Sequence, residues 1–245
     1  MDELNAIVTD PERVRKNAFL PLIQFVQRYQ PFRDEGEKPK KKERIIRYAS
    51  RRDSAIFTYY RTILAHEYEQ RLIELGISDI PTAYRKIPIA NGVTGGKCNI
   101  DFAVDFVRAI QSFDHCMVFA LDISKYFESI DHARLYKCWC ELINVDKLPP
   151  DHVAVFKAVT KYHFVDKISA YERLGFFGAK TRKNGKTAPG YLVPPNRMPM
   201  QLCTPAEFRE KVAELIEQNT NKHGIPQGAP ISDLLANLYL LDFDC

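Results

Sequence analysis

The sequence predicts an α+β fold, and three observations carry that prediction. Helix start signals recur: Ser50-x-x-Asp53, Asp131 and Thr204-Pro205-Ala206-Glu207 each precede a run with apolar residues at helical spacing. Short β-branched or apolar runs at residues 44–48 and 117–123 read as strands between them. Turn-rich stretches near 31–42, 83–96 and 175–202 separate the elements.

Taken in order, Asp10 before Pro11 reads as an N-cap with proline in the first turn. Phe19, Leu20, Leu22, Ile23 and Val26 then predict a helix kinked or split at Pro21. After the loop at 31–42 and the strand at 44–48, Ser50 opens a long helix. Its core face carries Ile56, Tyr59, Tyr60, Ile63, Leu64, Tyr68 and Leu72, and it stops near Gly76. A helix is expected over 99–111 and an apolar strand over 117–123. The helix after Asp131 places Leu135, Cys138, Trp139 and Leu142 at core spacing, and 151–164 reads as helical. Asn184-Gly185 predicts a hairpin within 175–202. Thr204 caps a helix running to about residue 217. Ser232 caps a final one with Leu234, Leu235, Leu238 and Tyr239.

At 245 residues the chain can bury one large core or two small ones. Its net charge of +4 says little about partners, but residues 37–52 hold eight basic side chains against two acids. Such a cluster suits phosphate, and it also suits a solvated face. The N-terminus has no apolar signal core, and no run approaches the roughly 20 apolar residues that span a bilayer. The six cysteines are scattered, with Cys138-x-Cys140 too tight for zinc, so reduced thiols in a cytoplasmic protein are expected. His66-Glu67 lacks the second histidine of a zinc-protease helix. Gly185-Lys186-Thr187 has Lys180 where a phosphate-binding loop needs glycine.

Two stretches carry chemistry. An apolar run ending in Asp122 places an oxygen ligand at a sheet edge, where a cation keeps open positions; the same carboxylate also suits a cap on the following turn. In Gly224-Ile225-Pro226-Gln227-Gly228 the glycines permit close approach and positive φ, and glutamine supplies donor and acceptor together. That set suits a nucleotide and its template base, and it also suits a plain loop.

FALDISKYFESIDH, residues 119–132, resembles the metal-binding palm motif of bacterial reverse transcriptases. GIPQGAPISDLLANLYL, residues 224–240, resembles the loop and helix with which that family holds an incoming nucleotide. The resemblance implies a right-hand polymerase, with fingers at 1–95, palm at 96–134, fingers again at 135–215 and palm at 216–245. It would be truncated before the third palm motif, which is expected just beyond Cys245. The implied metal is Mg2+, with Mn2+ as a substitute, held by Asp122 and the carbonyl of Ile123. Phe127 stands at the steric-gate position, where a bulky ring excludes a ribose 2′-hydroxyl; an ordinary core aromatic is the alternative. Arg44 is implied against the triphosphate, with Lys42 as second candidate, and Gln227 and Gly228 against the nucleotide. Arg51 and Arg52 are implied on template phosphates or in solvent. Tyr84-Arg85 in AYRK resembles a motif of the abortive-infection and unknown-group classes, which act in antiphage defence, and Arg85 is implied on nucleic acid.

The implied reaction is RNA-directed DNA synthesis by two-metal phosphoryl transfer, with Asp122 as the catalytic carboxylate. The implied partners are an RNA template, a DNA or protein primer, dNTPs and the missing palm and thumb, with no membrane. Asp242 and Asp244 are expected to continue the last helix rather than bind metal, so the 245 residues alone are expected to lack full catalytic competence. Two alternatives stand beside this reading: a non-catalytic nucleotide- or nucleic-acid-binding module, and a group II intron or retron-type enzyme.

Overall fold

The computed structural model describes residues 2–30, 42–89, 95–181 and 185–245. The arrangement is mixed α and β, with helices packed around a small mixed sheet. Helices α1 (Asp2–Val8) and α2 (Pro11–Arg15) open the chain, and Asp10 caps α2 by accepting from the backbone N–H groups of Glu12 and Arg13.

The helix expected around Phe19 to Val26 is instead strand β1 (Leu22–Tyr29). Pro21 disfavours helical backbone at the residue before it, and the β-branched and aromatic residues that follow gain pairing on both sides. Strand β2 (Lys42–Tyr48) runs antiparallel to β1, in register from Ile23↔Tyr48 to Tyr29↔Lys42. Helix α3 (Arg51–Leu75) starts as expected at Ser50, whose hydroxyl accepts from the Asp53 N–H, and ends at Gly76 in the left-handed conformation. Asp53 is buried and its carboxylate accepts from Asn17 Nδ2 at 3.0 Å, Leu20 N–H at 3.0 Å and Ser50 Oγ at 2.8 Å. These bonds pin the N-terminal segment to α3.

Helix α4 (Asn99–Gln111) forms as expected, yet none of its residues is buried. The strand expected over 117–123 does not form. Met117, Phe119 and Leu121 are 79%, 78% and 89% exposed. A strand requires a neighbour for its backbone groups, and among the described residues none lies alongside.

The short helix α5 (Tyr126–Ser129) leads into α6 (His132–Leu142), which Asp131 caps through the Arg134 N–H at 2.8 Å. Helix α7 (Pro150–Thr160), strand β3 (His163–Asp166) and helix α8 (Lys167–Arg173) follow. The expected hairpin is β4 (Phe177–Thr181) with β5 (Thr187–Tyr191), although Asn184 lies outside the described residues. The Thr204–Glu207 capping box opens α9 (Pro205–Lys211), which stops short of residue 217; a 3₁₀ turn and the two-residue strand β6 (Glu217–Gln218) take its place. The last helix is α10 (Ser232–Asp244), with Ile231 rather than Ser232 at the cap position.

Sheet order is β2-β1-β3-β6, with β1 parallel to β3, so strands on both sides of the 51–160 helical region share one sheet. The main core unites Ile56, Tyr60, Leu64, Tyr68 and Leu72 of α3 with Leu135 and Trp139 of α6, Val155 of α7 and Leu235 of α10. A smaller cluster, Val165, Ala170 and Val212, sits beneath α8 and α9. No helix among the described residues is long and apolar enough to cross a membrane.

Candidate nucleotide-binding loop

The loop at 224–228 is held from two directions. On one side the Gly224 N–H donates to Ile130 O at 2.8 Å and the Ile225 N–H to Phe127 O at 2.9 Å. On the other, the Arg47 N–H on β2 donates to Gln227 O at 2.8 Å. Both glycines are required by geometry. Gly228 has φ +113°, and a Cβ there would meet Arg47 O and Ile46 Cγ2 at 2.9 Å; Gly224 has φ +90° and a Cβ would lie 3.2 Å from Glu128 O.

Side chains tighten the same seam. His132 Nε2–H donates to Gly224 O at 2.8 Å and His223 Nδ1–H to Glu128 O at 2.9 Å; the carbonyl partners fix both tautomers. Asn219 Nδ2 donates to Thr160 O at 2.9 Å, His223 O at 3.2 Å and Gly224 O at 3.3 Å. Burial lowers the His132 pKa below its ordinary 6.5, outweighing the opposing bond to Gly224. The ring is thus neutral at pH 7, and among the described residues its Nδ1 has no partner.

The loop therefore joins the basic strand to the turn bearing Phe127. Arg44 is exposed, with its guanidinium 4.8 Å from the Tyr29 ring centroid, and Lys42 is exposed at the strand end. Gln227 is half-buried, and no hydrogen bond among the described residues engages its side-chain amide. Phe127 is also half-buried, with ring contacts to Tyr126 at 5.9 Å and Tyr84 at 6.5 Å. Phe127 packs against the main core and keeps part of its ring surface in solvent. Arg51 and Arg52 lie exposed at the start of α3.

Arg85 departs from expectation. Its side chain is buried; it binds Glu69 through Nε at 2.8 Å and Nη2 at 2.6 Å, and donates Nη1 to the carbonyls of Ser78 and Pro81. A guanidinium so engaged is a loop anchor rather than a nucleic-acid contact. Asp122 and Ile123 are exposed beyond the turn, and the described residues hold no group of three or more His, Cys, Asp or Glu suited to a metal. Asp242 and Asp244 lie on α10 as expected, with Asp242 3.5 Å from Arg134. One open carboxylate and one carbonyl do not make a resident cation site. They do fit Mg2+ that arrives on substrate phosphates and keeps several waters.

Sequence reasoning gave no role to Arg47, His132 or Tyr84. Arg47 lies in the same basic run as Arg44, but its guanidinium packs on Tyr162 at 5.2 Å and Phe164 at 4.9 Å and its Nε donates to Gln24 at 2.8 Å. A cavity of about 800 Å3 between α3, α6 and α10 is lined by Glu67, Leu75, Cys138, Leu238 and Asp242 among others and shares no residue with the loop. No protein-family model matches the chain, and no curated protein matches it.

Proposed function

We propose that the chain binds a deoxynucleoside triphosphate at the loop and belongs to an RNA-directed DNA polymerase of the reverse-transcriptase kind, serving in antiphage defence in the cytoplasm. The observation that carries the reading is the Arg47 N–H···Gln227 O bond, which sets a glycine loop against a basic strand. In the resemblance these are the contacts for base and triphosphate. Arg44 and Lys42 would take the phosphates, Phe127 the sugar, and the Gln227 amide with Gly228 the base. Glycine at 228 leaves room where a side chain would strike β2.

Bound Mg2+ would supply charge neutralisation on the phosphates, with Asp122 and the Ile123 carbonyl holding it. Template and primer would follow exposed cations such as Arg51 and Arg52, and that binding should weaken steeply with salt. DNA synthesis from labelled dNTPs on a primed RNA template, by a chain that includes the third motif, is the test. Asp122→Ala should abolish it, and retained incorporation would refute the assignment. A second reading for the 245 residues alone is nucleotide binding without synthesis, since Asp122 is the one carboxylate that the resemblance assigns to the metal. Robust synthesis by this chain with Mg2+ would exclude that reading.

A further inference from the structure

The segment around Tyr84 is fastened on every side except its ring. The Tyr84 carbonyl accepts from Arg61 Nη2 at 3.2 Å, and Arg61 is itself clamped by Asp233, with Nε 2.9 Å and Nη2 2.9 Å from the carboxylate oxygens. The Ala83 carbonyl accepts from Asn237 Nδ2 at 2.7 Å. Arg85, the next residue, is the buried anchor on Glu69. Helices α3 and α10 thus fix three consecutive residues.

Within that clamp Tyr84 has φ +61°, a left-handed conformation that is an outlier for a bulky side chain. The residue is 54% exposed, so burial does not explain the strain. The ring instead stands edge-on to Phe127, with centroids 6.5 Å apart and planes at 81°. Strain held by surrounding bonds at an exposed aromatic points to a functional constraint.

We infer that Tyr84 is a positioning residue for sugar discrimination, holding the Phe127 ring where it excludes a ribose 2′-hydroxyl. This rests on the proposed nucleotide site. Arg61, Asp233 and Asn237 act one step further out, by holding the backbone that aims the ring.

The test uses the whole chain with Mg2+ and two probes that differ only at the 2′ position, dATP and ATP, titrated by calorimetry. The wild-type chain should bind dATP more tightly than ATP. Tyr84→Ala should narrow that preference by about two- to tenfold, the range expected for one lost aromatic contact, while Tyr84→Phe keeps it. Tyr84→Gly separates positioning from structure, because glycine accepts φ +61° without strain. It should narrow the preference while leaving the melting temperature equal or higher. A wild-type preference that survives Tyr84→Ala overturns the role of Tyr84 and leaves the nucleotide site standing. A wild-type chain that binds neither probe overturns both.

Discussion

Helices α4 and α6 are two amphipathic helices of similar length with opposite fates. α6 buries His132, Leu135, Cys138, Trp139 and Cys140 against α3 and α10. α4 carries Ile100, Val104, Phe106 and Val107 and buries nothing, and the apolar run after it is equally bare. Periodicity predicts that a helix forms and which face is apolar, but not whether a neighbour is present to cover that face. Most helix stability comes from such packing, so α4 should be far less protected than α6.

The largest expected effect tests this contrast directly. Trp139→Ala should cost roughly 3–5 kcal/mol in urea denaturation, whereas Phe106→Ala should stay within about 0.5 kcal/mol. Equal losses would break the comparison. Next, Gly228→Ala should cost about 1–3 kcal/mol, because the added Cβ meets the β2 backbone at a positive φ. A neutral result would mean that the loop does not belong to the packed half.

A pH effect also falls on the packed half. Burial lowers the pKa of both His132 and His152 below the ordinary 6.5. The unfolded chain then takes up these protons more readily, so stability is intact above pH 6.5 and falls as pH drops below it. Melting temperatures between pH 7.5 and 5.5 should show the decline, and a His132→Asn, His152→Asn double variant should flatten it. The smallest effect is at the surface: Arg28 pairs with Glu43 at 2.7 Å, but both side chains are largely exposed. Arg28→Ala should change stability by no more than about 1 kcal/mol, less at high salt.

Local signals were legible in the sequence. Ser50, Asp131 and Thr204 cap helices as their spacing predicts, because a cap is settled within four residues. Residues 22–29 and 117–123 misled in opposite directions for one reason. A strand depends on a distant partner: β1 gains β2 and β3, whereas Phe119 and Leu121 gain none among the described residues. Of the candidate site, the glycines and Phe127 were readable as residue types. The bond between Arg47 and Gln227 joins positions far apart in sequence, and the burial of Arg85 depends on Glu69 of α3. Neither leaves a trace in local pattern.

That one bond from Arg47 has a further consequence. β2 is the outer strand of its sheet, and an outer strand presents unpaired backbone groups on which another chain can build. By engaging Arg47 N–H, Gln227 serves as a stopper on that border. Whatever lifts the loop would uncork the sheet, so the proposed nucleotide site and the guard on that border share a single stretch of backbone.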